Sequence, residues 1–236
     1  MLDLGQRPLC SASLVLRPRG ILGGRNPMLE HGTTAKRSDL AREAALAAAV
    51  RRFSQQSYDQ VGLRQVAADA SLDVARVHRL FGSKEALFAA CVRRAFGGWN
   101  WTSTDGRSLA QEIAQDLLVE REAPEGDPLQ MLVRSVSDPH AGPILRAWCE
   151  ESFLEPVARI LRSGGRPVSE AEVAERVALV AACCFGIAVM RKVMAVPALA
   201  KADASALSRR IEHLLSCPLV IEEAPHSSPE ILEPAS

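Results

Sequence analysis

The chain has 236 residues and a mass of 25.5 kDa, enough for one large domain or for a small domain joined to a larger one. Lysine plus arginine equal aspartate plus glutamate at 28 each, a balance that argues against a purely electrostatic nucleic-acid binder. The 36 alanines and only 10 aromatic residues favour helices over sheets, so we expect an all-α protein.

The sequence also indicates where the protein resides. The longest apolar run, residues 177–190, ends after 14 residues at two basic residues, which is too short to cross a bilayer. The 6 cysteines are scattered and include no C-x-x-C pair, which favours a reduced, intracellular compartment. Arginine and proline interrupt residues 10–20 almost at once, so no export signal is expected. We expect a cytoplasmic protein that does not enter a membrane.

The two ends of the chain lack hydrophobic periodicity. Residues 1–35 mix Gly, Pro, Arg and Ser, which predicts a disordered N-terminal arm. The same composition is equally compatible with translation that starts at Met28, in which case residues 1–27 would not be translated. The residues from Pro218 onward are rich in Pro, Ser and Glu, which predicts a disordered tail over 218–236.

The first half of the chain contains a long helix and two short ones. Apolar residues recur at helical spacing over about 38–56, and again over 63–70 and 74–81. Only three residues separate the two short helices. Asp73 is a suitable N-cap for the second of them, and Ser83 is suitable for a fourth helix that follows directly.

Longer apolar patterns predict the remaining helices at about 107–122, 128–137, 143–163, 169–195 and 204–216. Proline and glycine lie between these segments, as expected for loops. Pro156 lies inside one of them, which predicts a kink or break there because proline lacks the N–H of the helical hydrogen bond.

Two short helices around a tight turn, behind a longer helix, form a helix-turn-helix, whose second short helix enters the DNA major groove. At about 100° per residue, the apolar face of the helix over 74–81 is predicted to face the core, and it consists of Val74, Val77 and Phe81. The opposite face consists of Ala75, Arg76 and Arg79, with His78 at its margin. Arginine pairs with guanine and alanine permits close approach, so this face fits base reading.

Charge is distributed unevenly along the chain. Residues 33–96 hold 11 lysines and arginines against 6 aspartates and glutamates, a net charge of +5, whereas residues 97–236 hold 13 against 20, a net charge of −7. The basic half is therefore the expected DNA-binding half. Lys84 is predicted in the first turn of the fourth helix, where free backbone N–H groups and an ammonium together hold a phosphate.

Residues 38–96 resemble the DNA-binding domain of the TetR family of transcriptional regulators, of the TetR/AcrR type. The resemblance is carried by an ordered combination of residues: Phe53, Tyr58, the Val66 and Ala67 pair, Ala70, Phe81, Ser83, Lys84, Glu85 and Leu87. It implies a homodimer with an N-terminal three-helix DNA-binding domain over 36–96, whose helix-turn-helix motif lies at about 62–81. A larger helical domain over 97–217 would then mediate dimerisation and bind a small ligand that usually relieves repression.

The predicted DNA contacts lie at the start of the first short helix, along the second, and at the start of the fourth: Gly62, Leu63, Arg64, Val74, Ala75, Arg76, His78, Arg79 and Lys84. Several positions depart from the family pattern. Ser57 and Ser71 replace frequent glycines, Gly62 stands where a Thr or Ser usually meets phosphate, and His78 replaces a common Tyr. These departures leave open whether DNA binding is weakened.

The apolar segment over 177–190 has no polar face, and such a helix must be covered on all sides. Plain core is one interpretation. The resemblance favours a dimer interface formed with the last helix, from Val180, Cys184, Ile187, Leu207, Ile211, Leu214 and Leu215. Candidates for a ligand pocket, each also compatible with ordinary core, are Trp99, Trp101, Trp148, Phe153, Phe185 and Met190.

The sequence contains no hydrolase, phosphate-loop or metalloprotease motif, so no catalytic residue or cofactor is expected, and its His and Cys residues lack metal-ligand spacing. Together with the exposed face of the helix over 74–81, the resemblance implies a sequence-specific, ligand-responsive, homodimeric repressor of bacterial transcription. Its expected partners are double-stranded DNA, an unidentified small molecule and a second copy of the chain. The alternative is a TetR-like dimeric helical protein that has lost DNA binding and serves as a ligand-binding or protein-interaction module.

Overall fold

The computed structural model describes residues 27–97, 101–120, 125–163 and 168–220, with side chains from residue 36 onward. These residues are helical and include no strand, in agreement with the predicted all-α class. The described residues from Asp39 onward belong to one compact unit. Most of the predicted arm and tail, residues 1–26 and 221–236, lies outside the described residues.

The helices follow the predicted order. They are α1 Pro27–Gln55, α2 Leu63–Asp69, α3 Val74–Phe81, α4 Lys84–Phe96, α5 Gly106–Leu118, α6 Pro128–Ser135, α7 Ala141–Cys149, α8 Glu155–Ser163, α9 Glu170–Ala188, α10 Pro197–Ala200 and α11 Ala204–Leu219. A 3₁₀ turn, Tyr58–Gln60, lies between α1 and α2. Two π-helical segments, Glu150–Leu154 and Val189–Val193, extend α7 and α9.

Helices extend into both segments that were predicted to be disordered. α1 begins at Pro27 rather than near Ser38, so residues 27–35 of the predicted arm are helical. Proline is favoured at the first helical position, and extending an existing helix costs far less than nucleating one. α11 continues to Leu219, so the first residues of the predicted tail are also helical.

The caps predicted for the short helices are present. The Asp73 carboxylate accepts a hydrogen bond from the Arg76 N–H at 2.8 Å and fixes the start of α3. Gly82 ends α3 at a φ of 81°, a conformation that favours glycine. The Ser83 hydroxyl accepts from the Ala86 N–H at 3.1 Å and begins α4.

The first hydrophobic core joins α1–α4 to α6 and α7. Phe88 of α4 lies at its centre, with ring centroids 4.9 Å from Phe53 and 5.1 Å from Tyr58. Side chains from the later helices complete this core, among them Met131, Ala141, Leu145 and Trp148. The predicted domain boundary at residue 97 therefore does not separate the two cores, because α6 and α7 pack with the helix-turn-helix half.

The second core is formed by α5, α8, α9 and α11. Its buried residues include Leu109, Ile113, Val157, Leu161, Val177, Val180, Ile211 and Leu215. The start of α5 and the end of α11 approach closely, since a Cβ added at Gly106 would lie 1.9 Å from the Leu219 carbonyl oxygen. This contact requires glycine and fixes how α5 packs on α11.

The irregularity predicted at Pro156 takes the form of a π-helical segment. Residues 150–154 widen the helix directly before the proline. A proline ring displaces the carbonyl four residues earlier and offers it no N–H, so a wider turn at that point accommodates both effects.

The segment over residues 170–193 is long and apolar enough to cross a membrane, with a mean hydropathy of 2.0 over its best window. The prediction that the apolar run is too short for this was therefore wrong, because a spanning window tolerates the charged residues at its ends. Within the single chain, 22% of that window is buried. One such helix is weak evidence for a membrane segment, since the core helix of a soluble protein meets the same criteria.

Ser71, in the turn between α2 and α3, has a φ of 55°, in the left-handed region that is costly for non-glycine residues. We expect Ser71→Gly to raise the free energy of unfolding by about 1 kcal/mol. The matched control is Ser57→Gly, because Ser57 has an ordinary φ of −66° and gains nothing from glycine. Urea unfolding measures both; equal effects of the two substitutions would contradict strain at Ser71.

Candidate nucleic-acid interface and cavity

The turn formed by residues 70–73 holds α2 and α3 as a helix-turn-helix pair. Gly62 precedes α2 in an extended conformation, and its N–H donates to the Gln65 Oε1 at 2.9 Å. Arg64 is exposed on the first turn of α2, whereas Leu63 is half-buried against the first core. Among the residues predicted to contact DNA at the start of α2, Arg64 therefore presents an exposed cationic side chain.

The exposed face of α3 differs from the predicted one. Val77 is buried as expected, but Val74 is 40% exposed. His78 and Arg79 are exposed, whereas Arg76 is half-buried. Helical spacing gives the direction of a side chain, but it does not show whether another element packs over it. The neighbours of Val74 at the start of α3 are exposed too. The surface of α3, which we call the recognition face, is therefore Val74, Ala75, His78 and Arg79.

Two arginines of α1 hold the helix-turn-helix in place. The Arg42 Nη1 donates to the Leu80 carbonyl at 2.8 Å, and its guanidinium carbon lies 4.6 Å from the centre of the Phe81 ring. Arg52 forms a two-pronged ion pair with Asp69 of α2, with distances of 2.6 and 2.9 Å. These contacts fix both short helices against α1.

Lys84 lies at the start of α4 and is half-buried. Its ammonium is 4.2 Å from the centre of the Tyr58 ring and 3.4 Å from the Asp59 carbonyl oxygen. Burial of this ammonium lowers the pKa of Lys84, and burial of the phenol raises the pKa of Tyr58. The ammonium of Lys84, which is predicted to contact a phosphate, therefore lies against an aromatic ring.

A cavity of about 1250 Å³ lies among α4, α5, α6, α7 and α9. Four of the predicted pocket residues line it: Trp101, Trp148, Phe153 and Phe185. Met190 is not among the lining residues and is 39% exposed, and Trp99 lies outside the described residues. These four aromatic side chains therefore line the same cavity.

The cavity also contains charged groups that the sequence analysis did not single out. Arg94 donates to Glu125 at 2.5 and 2.6 Å and to Glu43 at 2.7 Å, and the carboxylate of Glu125 raises the pKa of Arg94. Arg191 also lines the cavity. Its only sequence signal was its position as the first charge after the apolar run over 177–190.

The predicted dimer residues are mostly inside the chain's own second core. Val180, Cys184, Leu207, Ile211 and Leu215 are buried there, and burial raises the pKa of the Cys184 thiol to about 12. Ile187 is half-buried against the same core, and Leu214 is 50% exposed. Five of the seven residues are therefore not available to a second chain. The large exposed apolar residues of α9 are Leu179 and Phe185.

Comparisons with known proteins agree with this architecture. The model of bacterial regulatory proteins of the tetR family matches residues 45–91, and the model of the tetracyclin repressor-like C-terminal domain matches residues 108–217. The comparison with curated protein sequences gives no significant match.

Matches to solved structures extend over nearly the whole length of the matched chains. One is NalD, described as the secondary repressor of the MexAB-OprM multidrug efflux pump in Pseudomonas aeruginosa, at 17% identity and a TM-score of 0.56, covering 79% of this chain and 99% of that chain. Another is a TetR-family regulator from Streptomyces coelicolor A3, at 25% identity and a TM-score of 0.42, covering 83% and 98%.

The helix-turn-helix of α2 and α3, packed between α1 and α4 and followed by a larger helical part, defines a helix-turn-helix transcriptional regulator. Models of one family match both its N-terminal and its C-terminal part. The chain belongs to the TetR family of bacterial transcriptional regulators.

Arg42 of α1 holds the end of α3 through the Leu80 carbonyl and the Phe81 ring. We expect Arg42→Ala to lower the free energy of unfolding by about 1 kcal/mol, because it removes a charged hydrogen-bond donor and a cation–π contact. Hydrogen exchange should accelerate in the last turn of α3. Arg51→Ala, which removes a neighbouring exposed arginine of α1, is the control. The same exchange rates in α3 for both variants would refute a tethering role for Arg42.

Proposed function

We propose that this TetR-family regulator is a sequence-specific repressor that binds DNA as a homodimer in the cytoplasm and releases it when a small molecule occupies the cavity. The observation that carries the DNA-binding part is the recognition face, where Arg79 and His78 are exposed beside small or apolar neighbours on the second helix of the motif. The repressor role follows the family resemblance.

Each side chain of the recognition face has a suitable role in the major groove. Arg79 offers the two-pronged donor that recognises guanine, and Val74 and Ala75 fit against a thymine methyl group. His78 has a ring N–H for a phosphate or a base edge. Half-buried Arg76 acts nearer the rim of the contact.

Contacts to the DNA backbone would flank this face. At the start of α2 the Leu63 N–H and the side chain of Arg64 suit the phosphates of one DNA strand, whereas the Gly62 N–H is already bonded to Gln65. Lys84 would reach a phosphate by leaving the Tyr58 ring. These contacts position α3 and carry no sequence information.

The homodimer would form through the outward sides of α9 and α11. Leu179 is 52% exposed and Leu214 is 50% exposed, and Gly186 on α9 has open space where a side chain would stand. The start of α9 lies beside the end of α11, because Arg176 donates to the Pro218 carbonyl at 3.2 Å. Binding of this dimer to two half-sites one DNA turn apart would require its two α3 helices to lie roughly 34 Å apart.

The ligand response would pass through α4. One side of α4 packs through Phe88 on Phe53 of α1, in the core shared with α2 and α3, and its last turn, with Arg94 and Phe96, lines the cavity. A ligand that favours a different position of this last turn would change the spacing of the two recognition faces. This requires the ligand to bind one arrangement more tightly than the other.

The test of DNA reading is selection of random duplex DNA on the purified protein, followed by titration of the enriched sequence. We expect a palindrome whose affinity falls steeply with salt. Arg79→Ala should weaken binding by about 1–3 kcal/mol, the value of one two-pronged base contact. Arg93→Ala, which removes an exposed arginine of α4, should leave the sequence preference unchanged. No enriched sequence would favour the alternative of a TetR-like module without DNA binding.

The dimer face is tested separately. Leu179→Glu places a charge on the proposed interface, and we expect it to convert the dimer to monomers in sedimentation velocity experiments. Leu40→Glu changes a leucine of α1 that is 63% exposed, and should leave the dimer intact. A Leu179→Glu protein that sediments like the unsubstituted dimer would exclude this surface.

A further inference from the structure

Arg191 is a largely buried arginine of the cavity wall with unused hydrogen-bonding capacity. Its side chain is only 11% exposed, and its Nε is buried without an acceptor among the residues that the structure describes. The carboxylate paired with it is that of Glu120, whose Oε1 lies 3.5 Å from the Arg191 Nη2. That distance is too long for a strong charge-assisted hydrogen bond. The Glu120 side chain is itself 83% exposed, so water competes for it.

A buried guanidinium N–H without an acceptor is costly, since water has been removed and nothing replaces it. Two other charged groups of this cavity, Arg94 and Asp127, already have hydrogen-bond partners within the chain. Arg94 is held by Glu125 and Glu43 at hydrogen-bond distance. Asp127 caps α6 by accepting from the Leu129 N–H at 2.9 Å. Arg191 therefore has the capacity to accept a further anionic partner.

The backbone conformation at Arg191 places it in this position. It is the middle residue of the π-helical segment Val189–Val193, which follows α9. Such segments change the direction in which side chains leave a helix and are frequent at functional sites. The preceding apolar residues of α9 pack in the second core, whereas Arg191 lines the cavity.

The rest of the wall suits an apolar body. Trp101 and Phe153 stack edge to face with ring centroids 5.1 Å apart, and Trp148 stacks on Phe96 at 4.3 Å. All four rings line the cavity, together with Leu117. A molecule with an aromatic or long apolar body and one anionic end would bury its body against these rings and its charge against Arg191.

We infer that the cavity binds a small organic carboxylate, held by charge-assisted hydrogen bonds from the guanidinium of Arg191, with its apolar body among the aromatic rings. The inference names the chemical class of the effector in the proposed function, and therefore rests on it for its regulatory meaning. Binding itself does not depend on DNA. The competing class is an organic cation, drawn by Asp116 and Glu120 of the same cavity.

Isothermal titration calorimetry on the full chain, without DNA, tests this with three probes of one shape: naphthylacetate, its neutral amide, and naphthylethylamine. We expect naphthylacetate to bind most tightly. Arg191→Gln should weaken its binding about tenfold or more and leave the amide unchanged. Glu120→Gln should tighten binding of the acid, because it removes the carboxylate that shares the arginine.

Arg159→Gln is the matched control, since Arg159 is an exposed arginine of α8 outside the cavity lining, and it should bind like the unsubstituted protein. Circular dichroism checks folding of each variant. If Arg191→Gln does not fold, Arg191→Lys keeps the charge without the planar fork and should show a partial loss. Tightest binding by the amine, no binding by any probe, or an Arg191 variant indistinguishable from Arg159→Gln would overturn the inference. A failed DNA selection would leave these titrations unaffected.

Discussion

The packing of Phe88 against Phe53 and Tyr58 is the contact on which the rest of this molecule depends. It fastens α4 to α1 and to the 3₁₀ turn that precedes the helix-turn-helix. The far end of α4 is held by Arg94 to Glu43 and Glu125 and is stacked through Phe96 on Trp148. α4 is therefore clamped at both ends, by an aromatic cluster at one and an ion-pair network at the other. A rigid element clamped in this way transmits displacement rather than absorbing it.

The local features of the DNA-binding half could be predicted from sequence because they depend on few neighbours. Caps at Asp73 and Ser83 need only a suitable side chain before a helix, and both are present. Burial of Val77 follows from helical spacing. The same spacing was wrong for Val74, because burial also requires another element to cover the side chain. Periodicity also gave no sign of the helical residues that extend α1 toward its start.

The regulatory half was harder to predict because its features depend on contacts distant in sequence. Helix α9 is apolar all round, and such a pattern does not distinguish the side that packs in the chain's own core from the side left exposed. Val180 and Leu179 are neighbours in sequence, yet one is buried and the other is 52% exposed. The aromatic wall was visible as bulky residues, whereas the role of Arg94 emerges only when α1, α4 and the segment before α6 meet.

The two π-helical segments have a consequence for how such a cavity changes over evolutionary time. Each segment accommodates one more residue per turn than an α-helix, and each adjoins the cavity wall at Phe153 or Arg191. Deleting one residue in Val189–Val193 would restore regular α geometry and leave the residues on either side pointing in nearly the same directions, because the wider turn has absorbed one extra residue. A different residue would then face the ligand while both cores kept their packing. Single-residue insertions and deletions at these two points thus offer descendants of this chain a route to new ligands that leaves the DNA-reading half unaltered.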